Sequence, residues 1–367
     1  MTPRSLGRRS PAGPAPRWLA ARRPAHRWLA LGVAGSVLAG LLAACGQGAA
    51  ASDSADELTL YNGQHEQTTQ ALVAAFEQQT GSKVTIRSDD EDVLVAQIEQ
   101  EGSRSPADVI YTENSPALER LQFRHLLAPV NHSTLAAVPA RYSSTAGDWL
   151  AVSGRVSVLA YNTSKLKPAQ LPASVMALAS PQWRGKIGIA PQETDFQPII
   201  TSIAHAYGKA AALRWLAGVE ANAGSNVYPD NETLVAKINS GQVEAGLINH
   251  YYWWRLRAQT GTAGLHSALH YFAARSPGYV LDISGAAALA SAPHKAAAQK
   301  FLAFLASPQG QRIIARSDSY EYPLRPGIAP HAGLPPFASL HPDPADTITA
   351  LGDGSLALSL LQQAQLG

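Results

Sequence analysis

Residues 58–86 read LTLYNGQHEQTTQALVAAFEQQTGSKVTI, and the fold follows from this stretch. Leu58 to Asn62 reads as a strand and Gly63-Gln64-His65 as a turn. Leu72, Ala75 and Phe76 recur at helical spacing over 66–80, and Gly81 ends that helix. Lys83 to Ile86 alternates as a second strand. Working outward, a helix over 92–101 ended by Gly102, a strand from Ala107 to Tyr111 and a helix over 115–127 continue the pattern. The order is β-α-β-α-β-α, which predicts a parallel sheet with covering helices.

Residues 130–150 read as irregular and Gly154 to Asn162 as a long strand. Helices are expected near 173–180, 196–205, 209–222 and 231–240, and strands near 186–190 and 225–228. A strand from Ala245 to Ile248 runs into Asn249-His250-Tyr251-Tyr252-Trp253-Trp254. Tyr279 to Ile283 reads as a strand and 295–316 as helix, while the chain from Pro323 onward carries no clear periodicity.

The 367 residues hold 29 Lys and Arg against 27 Asp and Glu, a net charge of +2. Seven of those cations are arginines before residue 45, where no Lys, Asp or Glu occurs. Without them, 22 cations face the same 27 anions, a balance of −5. The basic surplus therefore belongs to a leader, and no nucleic-acid partner is expected, since tracking phosphates needs clustered positive charge on a folded domain. The remaining length suffices for two α/β lobes with proper cores. A hydrophobic content of 46% excludes a disordered chain. Cys45 is the sole cysteine, which excludes a disulfide framework.

Residues 1–44 have the shape of a secretory signal, with a basic start, an apolar run from Trp28 to Ala44 and small residues at its end. A membrane-spanning anchor is the competing reading, but the run is short for a bilayer. Leu42-Ala43-Ala44-Cys45 resembles the lipobox of bacterial lipoproteins. That resemblance implies cleavage before Cys45, acylation of Cys45 and a lipid anchor on the outer side of a membrane. Residues 45–56 then form a flexible tether. Export and two α/β lobes suggest a solute-binding protein that closes around a ligand in the interlobe cleft.

Residue types bear on what the cleft takes. Free tyrosine titrates near pH 10, so a neutral-pH tyrosinate needs a strong positive charge beside it. A highly charged metal ion supplies one, and adjacent Tyr251 and Tyr252 are candidates. Carboxylate and imidazole would complete a hard mixed site. Glu113, Tyr251 and His65 all follow predicted strand ends, the rim where ligands bind in open α/β sheets. Taken singly, the aromatic run is equally a packing feature and a histidine at a turn a cap or surface group.

Tyr61-Asn-Gly-Gln-His65, Glu101 to Val109, Tyr111-Thr-Glu113, Ser153-Gly-Arg155, Leu247 to Trp253, Ser284-Gly-Ala286 and Glu321-Tyr-Pro-Leu324 follow one another in the chain. In these segments the chain resembles the bacterial ferric-iron-binding proteins of ABC importers, a transferrin-like group. The resemblance implies an α/β, two-lobed type II periplasmic-binding-protein fold with an interlobe cleft. The lobes would be 57–155 with 282–330, and 156–281 with 331–367. It implies His65, Glu113, Tyr251 and Tyr252 as ligands to Fe(III), with a synergistic anion, phosphate or carbonate, in the remaining positions. It also implies an ABC permease as partner, a monomer and no catalysis.

One loop departs from the pattern. Where relatives carry a small Ser-Gly-Ala anion loop, this chain has Gln192-Glu193-Thr194-Asp195-Phe196. Ser157 stands where carbonate-using relatives often place an arginine, two positions after the one matching Arg155, while Asn231 and Asn249 are kept as neutral donors. Carboxylates in that loop would repel phosphate. Glu193 or Asp195 is thus expected to replace the anion, as a ligand or behind one; the alternative is that they cap the helix starting at 196. Asp89-Asp90-Glu91-Asp92 reads as a solvated run opening a helix. The competing functions are the same fold holding an organic anion, a polyamine or an iron chelate, and an extracytoplasmic metal-dependent hydrolase.

Overall fold

The computed structural model describes residues 57–366. The signal segment 1–44, the lipidation site Cys45 and the tether 45–56 lie outside the described residues.

The chain opens with β1 (Glu57–Gly63), α1 (Glu66–Thr80), β2 (Lys83–Ser88), α2 (Glu91–Glu101), β3 (Val109–Thr112) and α3 (Ser115–Phe123). A single turn, α4 (His132–Leu135), leads to the long β4 (Leu150–Asn162). Then follow β5 (Ile187–Gly188), α5 (Phe196–Tyr207), α6 (Lys209–Ala223), α7 (Asn231–Asn239), β6 (Ala245–Asn249), α8 (His250–Thr260) and β7 (Ser267–His270). The last elements are β8 (Leu281–Ala288), α9 (Lys295–Leu305), α10 (Pro308–Arg316), β9 (Tyr322–Pro323), α11 (Ile348–Leu351) and α12 (Ser355–Gln363). Among the described residues, no helix is long and apolar enough to cross a membrane.

The opening β-α-β-α-β-α folds as its sequence requires. β1 pairs in parallel with both β2 and β3, and Gly81 ends α1 with a positive φ of 76°. The full sheet is mixed, in the order β2-β1-β3-β8-β4-β6-β5, with β7 and β9 also on β4. The strand returning to the first half, β8, is antiparallel to β3 and to β4.

β4 is buried along its whole length because it serves both halves. Leu150 to Val156 pairs with β8, and Ser157 to Tyr161 pairs with β6. Two hydrophobic cores lie on either side of this switch. Leu60, Phe76, Leu118, Trp149 and Phe301 belong to one; Val158, Ile200, Trp215, Leu247 and Tyr251 belong to the other. Leu281 packs on both cores. The C-terminal segment also serves both: Ile348 enters the first core, and Leu360 and Leu361 enter the second.

Several expected elements change. Helix 295–316 divides at Ser307, whose Oγ accepts the Gly310 N–H at 3.1 Å while Pro308 opens α10. The helix expected to reach 127 stops at Phe123, since His125 takes a positive φ of 57° and Leu127 bridges to Leu289. The strand expected at 225–228 is only a bridge from Ile189 to Val227, a half-exposed residue shortly before Pro229. Residues 175–179 form a 3-10 turn instead of an α-helix.

Candidate metal centre

Three strand ends supply the site. After β1, Asn62 ties down the next turn: its amide donates to the Gln64 carbonyl at 2.7 Å, and its Oδ1 accepts from Thr69 Oγ1 at 2.8 Å. The Gln64 side chain then accepts the His65 N–H at 2.7 Å, which fixes His65 at the head of α1. Glu113 follows β3 directly. After β6, buried His250 anchors the first turn of α8. Its Nδ1 accepts the Val156 N–H at 3.3 Å and its Nε2 donates to the Tyr320 carbonyl at 2.9 Å. Burial lowers the His250 pKa to about 4, so this imidazole stays neutral and structural. Tyr251 and Tyr252 come next on the turn that it holds.

These residues converge on a cleft of about 730 Å³ lined by His65, Glu113, Glu193, Tyr251 and Tyr252. His65 Nδ1 lies 3.2 Å from Glu113 Oε1. The Tyr251 hydroxyl stands 3.4 Å from Glu113 Oε2, and the Tyr252 hydroxyl 3.5 Å from Glu193 Oε2. The phenol rings lie 4.0 Å apart, tilted by 31°, and the His65 ring meets Tyr251 edge-on at 4.8 Å. With its proton on Nδ1 facing the carboxylate, His65 keeps a lone pair on Nε2, a buried atom with no hydrogen-bond partner. Metal-bound histidines commonly have this arrangement.

The electrostatics leave the cleft short of positive charge. Burial, then the carboxylate of Asp195, pushes both phenols well above their ordinary pKa. Burial also raises Glu113, only partly offset by Arg155, and raises Glu193, where Asp195 adds to the effect. Burial lowers His65. Before a cation enters, the cleft thus keeps neutral imidazole and phenol groups beside carboxyls that ionise late. A trivalent cation reverses the preference of the phenols and carboxyls, which then ionise, and reinforces that of the imidazole, which binds as the neutral base. Among the described residues, no three of His, Cys, Asp and Glu group as a metal site on their own. The donor set closes only when the phenols are counted.

Arg155 sits behind the cleft, fully buried on β4. Its guanidinium reaches Glu321 at 3.1 Å, Asn114 Oδ1 at 2.6 Å, Asp195 Oδ1 at 3.4 Å and Glu113 Oε2 at 3.8 Å. Burial alone would lower its pKa, but Asp195, Glu113 and Glu321 reverse that and raise it. Glu321 also accepts from Ser153 Oγ at 2.6 Å and from Gln64 Nε2 at 3.3 Å, and Gln64 donates to Ser284 Oγ at 2.8 Å. One buried network therefore supports both the His65 turn and Glu113.

The loop residues separate into two groups. Glu193 faces the cleft and its Oε1 accepts the Asn231 N–H at 2.9 Å. Asp195 points inward to Arg155 and leaves Oδ2 buried without a partner; it makes no capping bond to α5, which sets aside the expected cap there. The Asn231 side chain lines a separate small cavity with Asp195. Asn249 is buried at the head of α8, beside Asp282. Glu91 corrects the reading of 89–92 as a solvated run. It is only 6% exposed and grips Asn114 through the main-chain N–H at 2.9 Å and the side-chain amide at 2.7 Å.

Residues 71–339 match the family of bacterial extracellular solute-binding proteins. The chain is 39% identical over 317 residues to the major ferric iron-binding protein of Neisseria meningitidis serogroup A, covering 86% of this chain and 95% of that one. It is 38% identical over 293 residues to the Fe(3+)-binding periplasmic protein of Serratia marcescens, covering 80% and 86%. The crystal structure of iron-bound HitA from Pseudomonas aeruginosa superposes with a TM-score of 0.80 at 41% identity, over 84% of this chain and 99% of that one. Two cores joined through β4 and β8, a cleft at the strand ends and this match place the chain among the bacterial extracellular solute-binding proteins, with their two-lobed α/β fold.

Proposed function

We propose that this protein captures one ferric ion in the cleft and delivers it to an ABC permease for import. His65, Glu113, Tyr251 and Tyr252 are the metal ligands. The observation that carries this is the meeting of an imidazole, a carboxyl and two stacked phenols in one cleft, the imidazole already neutral and the other three disfavouring their anionic forms until a cation arrives. The ferric relatives at 38–41% identity support the same metal. Binding occurs without turnover. The ion displaces both phenolic protons, and lobe closure about β4 and β8 encloses it.

The lobes in this proposal are 57–155 with 282–330, and 156–281 with the chain from 331 onward, Ile348 reaching across. His65 and Glu113 come from the first lobe and both tyrosines from the second. The protein acts as a monomer outside the cytoplasm, held to the membrane by acylated Cys45.

Adding ferric iron to the purified protein should produce a broad visible tyrosinate-to-iron band that saturates at one ion per chain. Changing both tyrosines to phenylalanine should abolish it. A band that survives the double change would refute the ligand assignment. The acidic lining also suits an organic polyamine; displacement of bound iron by a polyamine would favour that ligand instead.

A further inference from the structure

Four protein donors leave two positions open on an octahedral ion. Water, an external anion or another protein group can fill them. The loop between β5 and α5 carries such a group, and it is pinned at both sides. Gln192 Nε2 donates to the Leu366 carbonyl at 2.9 Å, and Thr194 Oγ1 accepts from Asn114 Nδ2 at 2.8 Å. Between them, Glu193 is held by one oxygen and free at the other. Its Oε1 takes the Asn231 N–H, one of the amides that the first turn of α7 leaves unpaired, while Oε2 lies beside the Tyr252 hydroxyl at 3.5 Å. An external anion would seek that same helix-terminal amide. A tethered carboxylate already occupies it.

The surroundings favour the tethered group over a free one. The cleft is lined by Glu66, Asp89, Asp90, Asp92, Asp230 and Glu232, and no lysine or arginine is among its lining residues. The one buried guanidinium nearby, Arg155, is engaged by Glu321, Asn114 and Asp195. Phosphate or carbonate entering here would meet like charge, and Arg255, the cation at the rim that acts on His65, is already paired with Glu232 at 3.3 Å. Asp195 is not the replacement, because it does not line the cleft: its Oδ1 turns to Arg155 and the residue lines the small cavity shared with Asn231.

We propose that Glu193, through Oε2, is a fifth protein donor to the ferric ion, and that capture requires no external anion. This rests on the ferric-tyrosinate reading of the cleft, and the experiment separates the two. Ferric chloride from dilute acid is titrated into the protein in a sulfonate buffer freed of phosphate and carbonate. The wild-type band should develop fully, and added phosphate or bicarbonate should leave the affinity unchanged. Glu193→Gln should bind at least about tenfold more weakly in that buffer, the loss expected when one supporting group of a metal site is removed. Phosphate or bicarbonate should restore much of the loss.

A wild-type protein that stays colourless until phosphate or bicarbonate is added would overturn the role of Glu193 and leave the tyrosinate reading intact. A Glu193→Gln protein that matches wild type without anion would also overturn it. A protein colourless under every condition would remove the ferric reading and this inference together. Should Glu193→Gln not fold, judged by its circular dichroism and melting curve, the wild-type titration alone decides.

Discussion

Acid should weaken iron binding with a slope fixed by the donor set. The perturbation is a change of pH, and its size follows from which donors carry protons before iron binds. Burial and the Asp195 carboxylate hold both phenols well above their ordinary pKa, so each keeps its proton throughout the neutral range. Each proton displaced on binding makes the apparent association constant rise about tenfold per pH unit, or about 1.4 kcal/mol. Two phenols therefore give about a hundredfold per unit, roughly 2.7 kcal/mol. Glu113 is also raised by burial. It and Glu193, raised likewise, each add to the slope below their raised pKa, so the dependence steepens on the acid side. His65 is lowered by burial and binds as the neutral base, adding nothing near neutrality. Competition with a chelator of known protonation constants between pH 6 and 8 measures the slope of log K against pH. We expect at least two in the wild type and one less in Tyr252→Phe. A wild-type slope near zero, or a slope unchanged by that substitution, would refute the reasoning.

Arg155→Met would leave Glu321 buried without its cation and release Asp195 and Glu113. A stability loss of about 3–5 kcal/mol is expected by urea denaturation at neutral pH; a loss below about 1 kcal/mol would mean that the network is not needed to hold the site. Asp282 is buried on β8, and burial, only partly offset by Arg155, raises its pKa to about 8. The folded state therefore holds this proton more tightly than the unfolded chain, and the contribution of Asp282 to stability falls as pH rises from about 4 to 8. Asp282→Asn should melt higher than wild type at pH 8 and close to it at pH 4; an equal gap at both would exclude this cause.

What could be read from the sequence was local. Helix 66–80 and its Gly81 stop, and the strand ends that carry His65 and Glu113, follow from periodicity and turn residues within a short window. Tyr251 and Tyr252 stood out as adjacent phenols after a strand, but the run read equally as packing, and only the family resemblance singled them out as ligands. The antiparallel joining of β3 to β8 was not, since it pairs residues such as Thr112 and Gly285 far apart in the chain. The division of 295–316 was available in Ser307-Pro308, where a cap and a ring that cannot continue the preceding helix coincide.

The support behind the site was hidden for the same reason. Gln64 and Glu321 touch across 257 positions, and no spacing rule links them. Glu91 was obscured by its neighbours, because four acids in a row read as solvated until the fold turns one of them inward onto Asn114. The choice between Glu193 and Asp195 likewise needed the position of Arg155, which draws one carboxylate away and leaves the other facing the cleft.

The central claim is that iron sits among His65, Glu113, Tyr251 and Tyr252. Crystals of the iron-loaded protein, measured at the iron absorption edge, test it most directly. The account requires one anomalous peak at bonding distance, about 2 Å, from His65 Nε2, a Glu113 oxygen and both phenolic oxygens. A peak elsewhere, or one that touches neither tyrosine, would contradict it.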